Sequence, residues 1–163
     1  MSSPNSYDHP RSAVILYAPP EWDFDDSGLD DGLVIGRARE PELMGFHPNV
    51  TLIQVPLDGE VQTPEATLAG QQQAEPGLQS ALRDYRLLQL DYDEVGAQEV
   101  PGVMRSAAHT TEEGVPVTLH QWVARRSGVE VSMTVTFPTA LLPDWINISW
   151  MMRSALEWKE TAS

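Results

Sequence analysis

From Val129 to Phe137 the chain alternates strictly: Val129, Val131, Met133, Val135 and Phe137 are apolar, and Glu130, Ser132, Thr134 and Thr136 between them are polar. Successive side chains of a strand point to opposite faces, so this period of two predicts a strand with one core face and one wet face. Ser127-Gly128 precedes it, a two-residue turn suited to the twist of an antiparallel hairpin, and joins it to the run Val117–Arg126. Gly114 marks another turn, so Met104–Thr110, Val117–Arg126 and Val129–Phe137 read as a meander. The period is also two from Tyr85 onward, with Leu88, Leu90 and Tyr92 opposed to Gln89, Asp91 and Asp93, which predicts a half-buried strand. Three short apolar runs lie upstream: Ala13–Tyr17, Leu33–Ala38 and Val50–Val55. They read as strands, with Trp22 following the first as an anchor and an acidic loop from Asp23 to Gly32.

Two stretches carry helical signals instead. Thr63-Pro64-Glu65 combines an N-cap hydroxyl, a proline at the first helical position and an acid at the positive end of the helix dipole. The helix is expected to run to about Ala74, to break at Glu75-Pro76-Gly77 because proline lacks an amide hydrogen, and to resume briefly through Leu78, Ala81 and Leu82. A last helix is expected from about Leu141 to Trp158, with Trp145, Ile148, Ser149, Met152, Ala155 and Leu156 on its buried side. The order of elements gives an α+β class: an antiparallel sheet with a mid-chain helix and a C-terminal helix packed on it. Residues 1–11 are polar and aperiodic and read as a flexible tail, residues 12–158 as a single domain, and residues 159–163 as a flexible C-terminus. A chain of 163 residues fits one core.

Charge narrows the partners. Twenty-four acidic against ten basic residues leave a net charge of −14, which repels phosphate backbones and anionic lipid headgroups. No nucleic-acid partner is expected. Cysteine is absent, which removes disulfides, thiolate nucleophiles and cysteine-ligated zinc. No signal-peptide pattern opens the chain and no apolar stretch is long enough for a membrane span, so a cytoplasmic location is expected. Lys159 is the one lysine among the cationic residues, a bias that fits a high-GC genome.

The succession Tyr17-Ala18-Pro19-Pro20-Glu21-Trp22, Phe46-His47-Pro48-Asn49-Val50 and Pro101-Gly102-Val103, followed by the alternating strand and the closing helix, resembles the PsbP-like (Mog-type) fold. Within it the chain is similar to the actinobacterial LpqN/LpqT lipoproteins and the DcrB-like accessory proteins, over roughly residues 12–158. It departs from the lipoproteins in lacking a signal peptide and a lipid-bearing cysteine. The resemblance implies a non-catalytic accessory module, since relatives serve in photosystem assembly, bind a small GTPase or act as chaperones for secreted effectors. It implies no catalytic residue set.

The residues themselves offer little chemistry. Asp23, Asp25, Ser27 and Asp31 occupy ligand positions of a calcium loop with Gly28 at the turn, but Val34 stands where the bidentate carboxylate belongs. The bland reading is a solvated acidic loop, with weak divalent binding as the alternative. His9, His47, His109 and His120 share no metal spacing, and no nucleophile elbow or phosphate loop occurs. No cofactor and no enzymatic activity are expected.

Surplus apolar surface is the remaining lead. On the last helix Trp150 falls about 140° from Trp145 at 100° per residue, with Ile146 on its flank and Met151 and Trp158 on the other edge. Either a loop covers Trp150, or the helix face is rotated, or the surface meets a partner. The reading is a cytoplasmic accessory or chaperone-like protein that binds another protein, such as a secretion substrate or assembly factor. The expected binding surface is the outer side of this helix (Trp150, Ile146, Trp158) or the sheet face bearing Trp122. A homodimer could use the same surface or an edge strand. The alternative from another class is a carrier of a small apolar ligand, lined by Met104, Met133 and Met152.

Overall fold

The structure is a computed structural model and describes residues 5–160. Its frame is a seven-stranded antiparallel sheet built from β3 (Trp22–Asp25), β4 (Leu33–Ala38), β5 (Asn49–Pro56), β6 (Arg83–Val95), β7 (Val100–Thr110), β8 (Pro116–Arg126) and β9 (Val129–Pro138). The spatial order is β3-β4-β5-β9-β8-β7-β6. Strands β7 to β9 form the expected meander, β6 adds a fourth strand beside β7, and the β8–β9 turn has Ser127 and Gly128 both at positive φ, 54° and 80°. A second sheet of three strands, β1 (Asn5–Tyr7), β2 (Val14–Ala18) and β10 (Glu157–Trp158), has β2 at its centre. The helices are α1 (Pro64–Ala81) and α2 (Leu142–Ala155).

Register assigns the two faces of the large sheet. Val34, Leu52, Met133, Trp122 and Met104 lie opposite one another across five strands and form one apolar row. With β2 and α2 packed over them they make the core, which Val14, Leu16, Trp22, Phe137, Trp145, Met152 and Leu156 complete. The opposite row reads Ile35, Thr51, Thr134, Gln121, Arg105. Helix α1 covers only the β6–β8 end of that face and buries just two residues, Thr67 and Glu75. Close approach of β7 to β8 requires Gly102, because a Cβ there would lie 2.2 Å from the Val123 carbonyl oxygen.

Several expectations need correction. The polar stretch 1–11 is not all tail: Asn5–Tyr7 pairs with Leu16–Ala18, and Tyr7 is buried against the core. Its hydroxyl donates to Asp26 at 3.0 Å, and burial followed by that carboxylate pushes it up to about 12. Residues 1–4 and 161–163 of the expected tails lie outside the described residues, while Lys159 is tied to the Ala13 carbonyl by its amide. Helix α1 does not break at Pro76. The residues before the proline are gripped by the sheet, and that anchorage outweighs the lost amide bond: Arg105 donates to Glu75 at 2.7 Å and to the side chain and carbonyl of Gln71.

Strand β6 is present but its expected inward face is not. Leu88 and Tyr92 are more than half exposed, and a bulge between Leu87 and Gln89 shifts the register. Asp93 turns inward instead, where its carboxylate accepts from Trp122 Nε1 at 3.0 Å and Arg153 at 3.1 Å. As an outer strand β6 has no neighbour on one side, and the bulge blunts that edge. Asp91 and Asp93 also accept from the amides of Tyr92 and Glu94.

Candidate functional site

Helix α2 places the apolar surplus. Pro143 and Asp144 open it with fixed φ and a charge suited to the dipole, and Trp145, Ser149 and Met152 point into the core. Trp145 sits between Trp22 and Phe137, with ring centroids 5.9 and 6.1 Å away. The face assignment made from the helical period is therefore right for the centre of the helix. It fails at the end: the helix stops at Ala155, which is exposed, and the chain enters β10 beside β2.

That turn removes Trp158 from the candidate surface. It is 4% exposed, and its Nε1 donates to the Val95 carbonyl at 3.1 Å. Trp122 is also withdrawn, being fully buried in the core row with its indole N–H bound to Asp93. A tryptophan on a central strand is covered once both neighbouring strands and α2 are in place. Of the four expected contact residues only Ile146 and Trp150 are exposed, at 39% and 44%. Arg153 lies over the Trp150 ring, 5.3 Å from its centroid, and is itself held by Asp93 and the Glu94 carbonyl. Trp150 is thus fixed at the surface by a cation–π contact.

Sequence reasoning did not include the adjoining groove. Tyr17, Ala18, Pro19 and Pro20 form one wall, and Ile148, Met151, Met152 and Ala155 the other, enclosing about 430 Å³. Met151 and Ala155 also border the shallower depression around Trp150, so groove and patch are continuous. Met151 is 68% exposed. The groove left a trace in the sequence: Pro19-Pro20 directly after an apolar strand puts an apolar ridge where the sheet ends. Of the methionines proposed to line a ligand cavity, Met104 and Met133 are packed in the core, and only Met152 reaches the groove.

The acidic loop does not converge on a cation site. Asp23 forms a bidentate pair with Arg39 at 2.9 and 3.0 Å, which holds its carboxyl below the usual carboxylate range. Asp25 caps the Ser27 amide, and Asp31 lies in a short 3-10 turn, Leu29–Asp31. No group of three or more metal-binding side chains gathers among the described residues.

His120 is the one buried histidine with a perturbed titration. It touches Ser149 through Nδ1 at 2.7 Å and meets the rings of Trp122 and Phe137 edge-on. Burial pushes its pKa below the ordinary 6.5. The folded state therefore favours neutral imidazole. Stability is complete above pH 6.5 and falls as acid protonates the unfolded chain first, until the pH passes below the folded value. Thermal melts between about pH 7.5 and 5 should show this decline, and His120→Gln should flatten it. An unchanged slope in His120→Gln would show that other groups cause it.

No protein-family model matches the sequence, and no curated protein matches it. Solved structures do match by shape. The solution structure of cyanobacterial PsbP (CyanoP) from Synechocystis sp. PCC 6803 superposes with a TM-score of 0.68 at 11% identity, over 98% of this chain and 94% of that one. LpqN of Mycobacterium tuberculosis, described as involved in cell envelope biogenesis, gives 0.67 at 11% identity, over 97% and 91%. The Saccharomyces cerevisiae Ran-binding protein Mog1p gives 0.51 at 12% identity, over 90% and 84%. The chain has the PsbP/Mog-like fold. No helix among the described residues is long and apolar enough to cross a membrane.

Proposed function

We propose that this chain is a non-catalytic, cytoplasmic accessory or chaperone-like protein that binds another protein through the outer side of α2. The observation that carries the reading is the exposed run Ile146, Trp150 and Met151, continuous with an apolar groove. Exposed aromatic and methionine side chains are costly to leave in water, and they are enriched where interfaces are energetically concentrated. The fold supports the reading as analogy, because one of its members is described as a Ran-binding protein. Assembly factors and secretion substrates are the partner classes we favour.

Affinity capture from the native host, with the wild-type chain and Trp150→Ala in parallel, tests it. A protein recovered by the wild type should be depleted at least about tenfold with the variant, as for an interface anchor. Equal recovery by both, or background proteins alone at low salt, would count decisively against α2 as the binding surface.

A further inference from the structure

We propose that the groove between Tyr17–Pro20 and α2 receives a cationic amphipathic helix of the partner, an inference that rests on α2 being the protein-binding surface. The walls restrict how an occupant can bind. On one side the backbone amides of α2 are bonded within the helix, and on the other Pro19 and Pro20 have no N–H to give. β2, from which that wall continues, is paired with β1 along Leu16–Ala18 on one edge and with β10 along Val14 and Ile15 on the other, which leaves only a short stretch of edge beside the groove. An extended peptide laid between these walls would leave backbone groups without partners, whereas a helix brings its own hydrogen bonds and needs only side-chain contact. Ile148, Met151 and Met152 supply that contact, and methionine adapts to irregular shapes.

Charge sets the other half of the occupant. Glu21 follows Pro20 directly, Glu157 accepts from the Tyr17 hydroxyl at 2.9 Å, and Asp144 stands one helical turn before Ile148. Arg153 is the one cation on α2, and Asp93 already neutralises it. The whole chain carries −14. An apolar stripe flanked by lysine or arginine therefore fits both the floor and the rim, while an acidic helix would be repelled.

Two synthetic helical peptides of about 18 residues provide the probe, one with leucine on one face and lysine on the other, the second with glutamate replacing every lysine. Titrated into the isotopically labelled full chain, the lysine peptide should shift the amides of Tyr17, Ala18 and Ile148 to Ala155. Its affinity should fall at least about tenfold between roughly 50 and 300 mM salt. Met151→Lys, which removes the apolar contact at an exposed position and adds a charge like that of the peptide, should lose at least about tenfold in affinity without changing the melt. Shifts confined to the acidic loop Asp23–Asp31 would overturn the groove as the helix site. Equal binding of the glutamate peptide at the groove would overturn the cationic occupant and leave α2 as a protein-binding surface. Failure of both peptides, together with equal host capture by wild type and Trp150→Ala, would remove the surface itself.

Discussion

Trp145→Ala should destabilise the protein by about 3 to 5 kcal/mol, the cost of truncating a buried tryptophan. Trp145 is 5% exposed and fills the space between Trp22 and Phe137, so its removal leaves a cavity where α2 meets the sheet. Trp150 lies on the same helix and is 44% exposed, and its main loss on truncation is the contact with Arg153. Trp150→Ala should cost no more than about 1 kcal/mol. Guanidinium unfolding of the two variants against wild type separates these values. If Trp150→Ala shifted the midpoint as far as Trp145→Ala, Trp150 would belong to the core and the proposed surface would be lost.

Arg105→Ala should cost about 3 to 5 kcal/mol for a different reason. Arg105 is 2% exposed and donates to Glu75, Gln71 and Gln121, and the Tyr85 hydroxyl donates to the same Glu75 oxygen at 2.7 Å. Burial and then Glu75 raise the Tyr85 hydroxyl well above its ordinary value. Removing the guanidinium leaves the Glu75 carboxylate buried and unpaired, the costly half of a broken ion pair. Arg105→Met combined with Glu75→Leu removes both charges and should restore most of the stability. Hydrogen exchange adds a local readout, because α1 buries so little else that its amides should lose protection in Arg105→Ala before those of β8 and β9. A double variant no more stable than Arg105→Ala would show that the helix depends on something other than this pair.

The meander was legible because its signal is local. Val129–Phe137 alternates over its whole length, and the Ser127-Gly128 turn selects the hairpin register without reference to the rest of the chain. The N-cap of α1 was legible for the same reason, and Thr63 does accept from the Ala66 amide at 3.1 Å. The buried stripe of α2 through Trp145, Ser149 and Met152 followed from the helical period. The fold class rested on these elements taken in order, and the resemblance on Tyr17–Trp22, Phe46–Val50 and Pro101–Val103 together with the alternating strand and the closing helix.

Other features depend on contacts between residues far apart in the chain. Asn5–Tyr7 and Glu157–Trp158 have no periodicity of their own, and they are strands because β2 offers an edge on each side. Helicity through Pro76 depends on Arg105, 29 positions beyond it, gripping the turn that the proline weakens. Asp93 is inward because Trp122 and Arg153 hold donors there, so an alternation read from hydropathy alone selects the wrong face of β6. Trp122, Trp150 and Trp158 look alike in sequence as large aromatics in amphipathic elements. The sequence by itself determined the strands of the meander, the starts of the two helices and the acidic, cysteine-free character of the chain, because these follow from local period, caps and composition. Only the tertiary structure decided which tryptophan faces water and that a groove lies beside it, because exposure is set by what the rest of the chain packs against each ring.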